Sequence, residues 1–93
     1  MDMKKVLAEA VASAVRKAIE AGKLPQGEMA PVVLTVPPQK AFGDFATNFA
    51  LQAARDFHCA PRVIAGAVQE FLECPSVEKV EIAGPGFLNF YLK

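Results

Sequence analysis

The sequence predicts a small α+β domain in two layers: an antiparallel sheet of three to four strands, covered on one face by three helices. Three observations lead to this fold. Three segments carry apolar residues at helical spacing, a β-branched run at 32–36 lies between prolines, and residues 77–93 form two short strands around Gly84-Pro85-Gly86. The predicted order is helix, strand or strands, helix, helix, hairpin, and 93 residues suit a single domain spanning 1–93.

The first predicted helix runs from Met3 to about Ala21. Asp2 is placed to cap its start, and Gly22 is placed to end it. Its apolar residues recur every three or four positions and predict one buried face: Val6, Leu7, Ala10, Val11, Ala14, Ala18 and Ile19.

The central part of the chain predicts a strand followed by two helices. Val32–Val36 is β-branched and is bounded by proline on both sides, so it predicts a strand. Gln39–Phe45 is a connector with room for a short extra strand, and Asp44 is expected to cap the next helix. The apolar stripe of that helix is Phe45, Phe49, Ala53 and Phe57. The third helix is predicted to start at Pro61. Its inward residues are Val63, Ile64, Ala67, Val68, Phe71 and Leu72.

The last two strands are predicted to pair as an antiparallel hairpin of residues 77–83 and 86–93. Since side chains alternate between the faces of a strand, Val80 and Ile82 should point inward while Lys79 and Glu81 face water. The final strand should bury Leu88, Phe90 and Leu92 and present Phe87, Asn89, Tyr91 and Lys93 on its other face.

The outward residues of the final strand are the candidate binding residues. An aromatic ring on a sheet can stack on an unpaired nucleobase, and a neighbouring amide can hydrogen-bond the edge of that base. Phe87 and Asn89 are therefore candidates for RNA contact, although an exposed aromatic residue more often marks a protein interface. The alternatives are that Phe87 packs against another protein surface or the 22–31 loop, and that Asn89 is an ordinary solvated strand residue.

Composition limits the possible functions. The chain is 53% hydrophobic, and its ten basic residues balance ten acidic ones. A protein that mainly grips a nucleic-acid backbone is usually basic, so any RNA contact should be local and accessory. Two cysteines, no secretory signal and no long apolar run predict a cytoplasmic protein with reduced thiols and no membrane partner.

Catalytic, cofactor-binding and metal-binding residues are not predicted in this chain. His58 and Cys59 are neighbours, and adjacent residues at a helix end do not point at each other. One histidine and two separated cysteines do not form a zinc site. The Gly84-Pro85-Gly86 turn lacks the lysine and the following helix of a phosphate-binding loop.

Two segments resemble the N-terminal additional domain of arginyl-tRNA synthetases. They are Gly43-Asp44-Phe45-Ala46-Thr47-Asn48 with Ala50-Leu51-Gln52, and the stretch from Val80 to Phe90 (VEIAGPGFLNF). Both occur in the family's order, and the resemblance extends over essentially the whole chain. It implies a class I ligase that joins arginine to tRNA with ATP and magnesium, in which this domain contacts the D-loop at the tRNA elbow.

The resemblance also implies site residues and partners. An aromatic and a polar residue after the Gly-Pro turn contact a D-loop base in the family, and they correspond to Phe87 and Asn89. Some relatives use a polar residue before the turn, where this chain has Gly84. The resemblance implies a monomeric fragment of a longer synthetase, with tRNA(Arg) and the catalytic domain of the same polypeptide as partners. The alternative function is a docking module that positions a catalytic domain without reading RNA.

Overall fold

The computed structural model describes residues 2–93. Within that range the chain forms three α-helices and three β-strands. They are α1 (Met3–Glu20), β1 (Phe45–Thr47), α2 (Phe49–Phe57), α3 (Pro61–Phe71), β2 (Val77–Ala83) and β3 (Phe87–Leu92), with a 3₁₀ turn at Lys40–Phe42 before β1. The predicted α+β class is confirmed, with three strands in the sheet.

The sheet has the order β1-β3-β2, and both neighbouring pairs are antiparallel. The C-terminal strand β3 is therefore central and contacts a partner on each side. Phe90 lies opposite Phe45 in β1 and Val80 in β2, and Asn89 lies opposite Ala46 and Glu81. The predicted hairpin is confirmed as the β2–β3 pair.

The helices bury one face of this sheet. Helix α1 packs on α3, α3 packs on α2 and β2, and α2 also contacts β3. Leu88 and Phe90 of β3 point into the resulting core and are completely buried. The largest fully buried side chains are Leu7, Val11, Val15, Phe49, Phe57, Ile64, Val68, Leu88 and Phe90.

Both ends of α1 and the start of α3 agree with the boundaries predicted from the sequence. The Asp2 carboxylate accepts a hydrogen bond from the Lys4 backbone N–H at 3.1 Å, which caps α1 as expected. Gly22 follows the C-cap of α1 with φ of 77°, a conformation that glycine adopts easily. Pro61 occupies the first turn of α3, where its missing N–H costs nothing.

The predicted length of the strand at Val32–Val36 is wrong. Only Thr35 pairs, as an isolated antiparallel bridge with Ala46 whose two backbone hydrogen bonds are both 2.8 Å long. Strand β1 has only three residues and ends where α2 begins, so it offers this segment almost no ladder to extend. Leu34 is nevertheless buried, as its position in the apolar run suggests.

The predicted start of the second helix is also wrong. Phe45 belongs to β1, the optional short strand of the connector, and α2 begins only at Phe49. Asp44 does not cap α2. Its carboxylate accepts the Leu92 backbone N–H of β3, whereas Thr47 Oγ1 accepts the Phe49 N–H at the start of the helix.

Candidate nucleic-acid interface

The face of the sheet opposite the helices carries the candidate site. Its members follow from the strand register, because residues that pair directly across strands share a face. We call this surface the outer sheet face: Ala46 of β1; Lys79, Glu81 and Ala83 of β2; and Phe87, Asn89 and Tyr91 of β3.

Phe87 is exposed on the outer sheet face, as predicted. Its relative accessibility is 41%, whereas the next residue, Leu88, is completely buried. The ring lines an open groove of about 370 Å³, which we call the Phe87 groove. The other residues of the Phe87 groove are Val33, Thr35, Ala46, Thr47, Asn48 and Gln52.

The turn before Phe87 is held against helix α3. The Arg62 Nε–H donates a hydrogen bond to the Gly84 carbonyl at 3.0 Å. Gly86 has φ of 148°, and a Cβ at that position would lie 2.8 Å from Pro61 Cβ. Only glycine fits this close approach, so the backbone of the turn has a defined position. Gly84 supplies a backbone carbonyl here and no polar side chain.

Asn89 lies deeper than an ordinary outward strand residue. Its relative accessibility is 7%, because it is in the central strand between Ala46 and Glu81. In the part of the chain that the structure describes, the Asn89 amide forms no side-chain hydrogen bond, and no fully buried side-chain nitrogen or oxygen lacks a partner. The polar atoms of the amide therefore keep some contact with solvent.

Asn89 and Phe87 line different grooves, although they share a face. Asn89 belongs to a second open groove of about 590 Å³, which we call the Phe42 groove. The residues of the Phe42 groove are Ala41, Phe42, Gln69, Glu81, Ile82, Ala83, Asn89 and Tyr91.

Phe42 is a site residue that the sequence analysis did not identify. It ends the 3₁₀ turn, and 49% of its surface is accessible. Its segment has no apolar periodicity, so pattern alone gives no reason to single it out. The signal that could have found it is Gly43, which directly follows and points to a tight approach of the chain to another strand.

Three contacts hold the segment around Phe42 against β3. The Tyr91 hydroxyl donates to the Ala41 carbonyl at 2.8 Å. Asp44 uses its backbone N–H to bond the Phe90 carbonyl and its carboxylate to accept the Leu92 N–H, both at 2.8 Å. Tyr91, predicted as part of the outward set, therefore has a structural bond at its hydroxyl.

The charged residues of the outer sheet face are Lys79 and Glu81, which lie beside Tyr91. Lys79 Nζ lies 4.5 Å from the centre of the Tyr91 ring and 3.4 Å from a Glu81 carboxylate oxygen. Hydrogen bonding from Tyr91 and then the charge and hydrogen bond of Lys79 hold the pKa of Glu81 below its ordinary value. Desolvation and then the nearby Glu81 carboxylate raise the pKa of Tyr91, whose hydroxyl donates its proton to the Ala41 carbonyl.

The residues considered for catalysis are not arranged as a reactive pair. His58 ends α2 in the left-handed conformation with φ of 53°, and the Cys59 thiol donates to the Phe57 carbonyl at 3.3 Å. Across residues 2–93, three or more side chains suited to a metal ion do not cluster. None of the helices described is long and apolar enough to cross a membrane.

The fold is shared with a class of tRNA synthetase domains. The structure of the Thermus thermophilus arginyl-tRNA synthetase matches 99% of this chain with a TM-score of 0.75, at 24% identity and over 14% of that chain. The Plasmodium falciparum arginyl-tRNA synthetase matches 98% of this chain with a TM-score of 0.75, at 12% identity and over 16% of that chain. These two likenesses define the architecture.

Sequence comparison identifies the family. The family model described as "Arginyl tRNA synthetase N terminal domain" matches residues 3–92, so the chain belongs to this family. The arginine–tRNA ligase of Desulforamulus reducens is 46% identical over 94 residues, covering 99% of this chain and 17% of that protein. The Bacillus subtilis arginine–tRNA ligase is 44% identical, covering 97% and 16%. The chain therefore spans about one-sixth of these relatives.

Proposed function

We propose that this domain recognises the D-loop at the elbow of tRNA(Arg), in support of the attachment of arginine to that tRNA by a longer protein. The observation that carries the proposal is the pairing, on one sheet face, of the exposed Phe87 ring with an Asn89 amide that has no partner in the described chain. Membership of the arginyl-tRNA synthetase N-terminal family is the reason for proposing tRNA as the ligand.

Phe87 supplies a stacking surface in this proposal. Its ring is exposed while its backbone is fixed by the Gly84–Gly86 turn and the Arg62 hydrogen bond. Because the backbone is already fixed, less conformational entropy is lost when a flat base binds to the ring. Stacking of one base on one aromatic side chain contributes roughly 1–3 kcal/mol.

Asn89 supplies hydrogen-bonding capacity to a base edge. An amide carries both donors and an acceptor, and its partial burial strengthens any bond that it forms with a base. The neutral net charge of the domain suits a local contact, since most of the electrostatic attraction for tRNA would then come from other parts of the protein.

The proposal places this domain, residues 1–93, within a longer, monomeric and cytoplasmic synthetase. The relatives are arginine–tRNA ligases about six times its length, and their number of residues leaves room for the catalytic and anticodon-binding domains. ATP and magnesium are used by that catalytic domain, which is also the same-chain partner of this one. This domain supplies tRNA contacts and no reacting group.

The test is Phe87→Ala in the full-length protein. Loss of one base stack should weaken tRNA binding by about 1–3 kcal/mol, or about 5- to 150-fold, measured as the dissociation constant and as kcat/KM for tRNA. The matched control is Val63→Ala. The helical spacing predicted Val63 to be inward, which is wrong: it is 51% exposed and lies on α3 outside both grooves. Unchanged tRNA binding in a folded Phe87→Ala protein would contradict the stacking role.

The second candidate function is docking on a catalytic domain without RNA contact. The neutral charge and the exposed Val33 and Val36 beside the sheet favour it. Titration of the 93-residue chain with tRNA at low salt, followed by NMR, separates the two. Shifts centred on Phe87 and Asn89 support recognition, whereas a spectrum that does not change at millimolar tRNA supports docking.

A further inference from the structure

We propose that one edge of the sheet pairs with an extended, uncharged segment of the same polypeptide, outside residues 1–93. We call this the open edge: the backbone N–H and C=O groups of Val32, Leu34 and Val36, which point away from β1. The inference rests on one part of the proposed function, the placement of this domain in a longer protein. It does not depend on tRNA contact, since a strand added at the edge leaves the outer sheet face free.

The direction of the open edge follows from the bridge beside it. The Thr35 N–H donates to the Ala46 carbonyl and the Ala46 N–H donates to the Thr35 carbonyl, so both polar backbone groups of Thr35 face β1. In an extended chain the next residue on each side directs its N–H and C=O the opposite way. Those of Leu34 and Val36 therefore face outward, and among residues 2–93 neither forms a backbone hydrogen bond.

The segment that carries the open edge is already held in an extended form. Leu34 is 5% exposed while its neighbour Val33 is 59% exposed, which is the alternation of a strand. The Thr47 hydroxyl donates to the Val33 carbonyl at 2.9 Å on the β1 side. The outward backbone groups are therefore positioned before a partner arrives, which lowers the entropy lost on pairing.

The prolines around this segment do not block the open edge. Pro31 and Pro37 lie an even number of positions from Thr35, so their missing N–H groups belong to the β1 side. Pro38 lacks an N–H on the outward side and ends the edge after Val36. Alternate outward N–H and C=O groups over residues 32–36 are the arrangement that accepts an added strand.

The opposite edge of the sheet is closed. On the free side of β2, the Gln69 side-chain amide donates to the Val80 carbonyl at 2.7 Å. At the end of β2, the Arg62 Nε–H donates to the Gly84 carbonyl at 3.0 Å. Helix α3 supplies both donors, and side chains or helices that cover an edge prevent it from pairing with another strand. The fold thus covers one edge and leaves the other available.

The open edge has no charged side chain that would repel a strand. From Met29 to Gln39 the sequence contains no Lys, Arg, Asp or Glu, the residues that commonly protect an edge. Val33 and Val36 are 59% and 63% exposed at this edge. An uncharged partner strand covers these two valines while its backbone satisfies the outward N–H and C=O groups, and a charged partner would meet no opposite charge.

A segment of the same polypeptide suits this edge better than a second copy of the domain does. Each partner in a stable complex typically buries about 800 Å², and five residues of strand with two exposed valines offer much less. A tethered segment needs less contact, because the tether gives it an effective concentration in the millimolar range. The chain covers 17% and 16% of two relatives, so most of each relative lies outside the matched domain.

The test is backbone amide exchange, at residue resolution, in the full-length protein without tRNA. The Leu34 and Val36 amides should exchange at least about tenfold more slowly than in the 93-residue chain, because a strand bond protects them. This protection should be the same at every protein concentration. The Thr35 amide is the internal reference, since its bond to Ala46 lies within the domain.

Three substitutions in the full-length protein separate backbone pairing from side-chain contact. Val36→Pro removes an outward N–H, so the Leu34 amide should exchange about tenfold faster than in the unchanged protein. Val33→Pro is the matched control and should leave Leu34 protected, because the Val33 N–H faces β1 and forms no backbone bond in residues 2–93. Val36→Ala keeps the N–H and should retain most of the protection. Slow exchange of Thr35 shows that the segment of each variant stays folded.

The remaining outcomes overturn the proposal in distinguishable ways. Equal exchange of Leu34 in the full-length protein and the 93-residue chain would show that no strand pairs there. Protection that falls on dilution would identify a second copy as the partner, and protection that appears only with added tRNA would assign the edge to RNA. Equal loss in Val33→Pro and Val36→Pro, with Thr35 still slow, would exclude backbone pairing. Exchange is measured without tRNA, so its result is independent of the Phe87→Ala test of tRNA recognition.

Discussion

At the residue scale, Gly43 helps to explain how the 3₁₀ turn at Lys40–Phe42, which has no apolar periodicity, becomes part of the site. Its φ of 95° belongs to the region that residues with a Cβ avoid, and its backbone lies directly on the Phe90 carbonyl. Because Gly43 has no Cβ, the 3₁₀ turn can lie against β3, where the Tyr91–Ala41 bond and the two bonds of Asp44 hold it. The position of the Phe42 backbone therefore depends on Gly43 together with these three bonds.

Replacement of Gly43 tests that role. Gly43→Ala should destabilise the domain by about 1–3 kcal/mol, because it adds backbone strain and a Cβ 2.7 Å from Phe90 O. Chemical denaturation gives the free energy of unfolding. Gly66→Ala is the matched control: Gly66 lies inside α3 with nothing within 4 Å of a new Cβ, so alanine there should stabilise by about 0.5–1 kcal/mol. Equal effects of the two substitutions would contradict this account.

The sequence could predict the position of Phe87 but not that of Phe42. Phe87 is outward because Leu88 and Phe90 must be inward, and alternation in a strand makes that visible in one dimension. Phe42 is placed by contacts with Phe90 and Tyr91, which are about fifty positions away in the chain. The local sequence offers only Gly43, which indicates a close approach of the chain without showing which strand is approached.

At the element scale, strand β1 is short and depends on its surroundings. It has three residues, and it gains a hydrogen-bonded partner on each side from β3 and from the isolated Thr35 bridge. Thr47 joins β1 to two further segments, since its hydroxyl donates to the Val33 carbonyl at 2.9 Å and accepts the Phe49 N–H at 3.1 Å. The Thr47 hydroxyl thus connects a strand, a loop and the start of a helix.

The carboxylate of Asp44 extends the β1–β3 ladder by one bond. Asp44→Ala should therefore cost about 0.5–1.5 kcal/mol of unfolding free energy, the usual contribution of one such hydrogen bond. Urea denaturation measures it. Asp56→Ala provides the comparison, since Asp56 is an exposed residue of α2 and should change stability by less than about 0.5 kcal/mol. A midpoint for Asp44→Ala that matches Asp56→Ala would show that the bond adds nothing.

The sequence errors at this scale have one cause. Phe45 continues the four-residue spacing of Phe49, Ala53 and Phe57, and its partial burial satisfies that pattern from a strand as well as from a helix. Val32–Val36 has strand composition but meets a partner strand only at Thr35. Composition predicts which residues are buried, whereas the length of a strand depends on the strand with which it pairs.

At the scale of the whole molecule, α1 is joined to the chain after α3 by an exposed ion pair. Lys17 Nζ lies 2.7 Å from a Glu73 carboxylate oxygen, and its hydrogen bond and charge hold the pKa of Glu73 below the ordinary value of 4.5. Glu81 has a lowered pKa as well, from Tyr91 and Lys79. The pKa of each carboxyl group is lower in the folded protein than in the unfolded chain. Each group therefore contributes its full stabilisation above pH 4.5, and this contribution is lost as the pH falls through the folded-state pKa.

The pH dependence of unfolding tests this linkage. At about pH 7 the double variant Glu73→Gln/Glu81→Gln should unfold at a slightly lower denaturant concentration than the parent chain, and the gap should close well below pH 4.5. The effect is small because solvent screens both groups. A gap that stays constant down to acid pH would instead indicate that the substitutions act through packing.

The sequence by itself determined the helices, the hairpin and the inward and outward faces of β3, because each follows from a periodicity of two or of three to four residues. The motifs within it were also sufficient to indicate the arginyl-tRNA synthetase family, which the family match confirms. The tertiary structure alone decided the short length of β1, the bond from Asp44 to Leu92, and the separation of Phe87 and Asn89 into two grooves with Phe42 beside the second. These features join residues far apart in the chain, and only the packed fold brings them together.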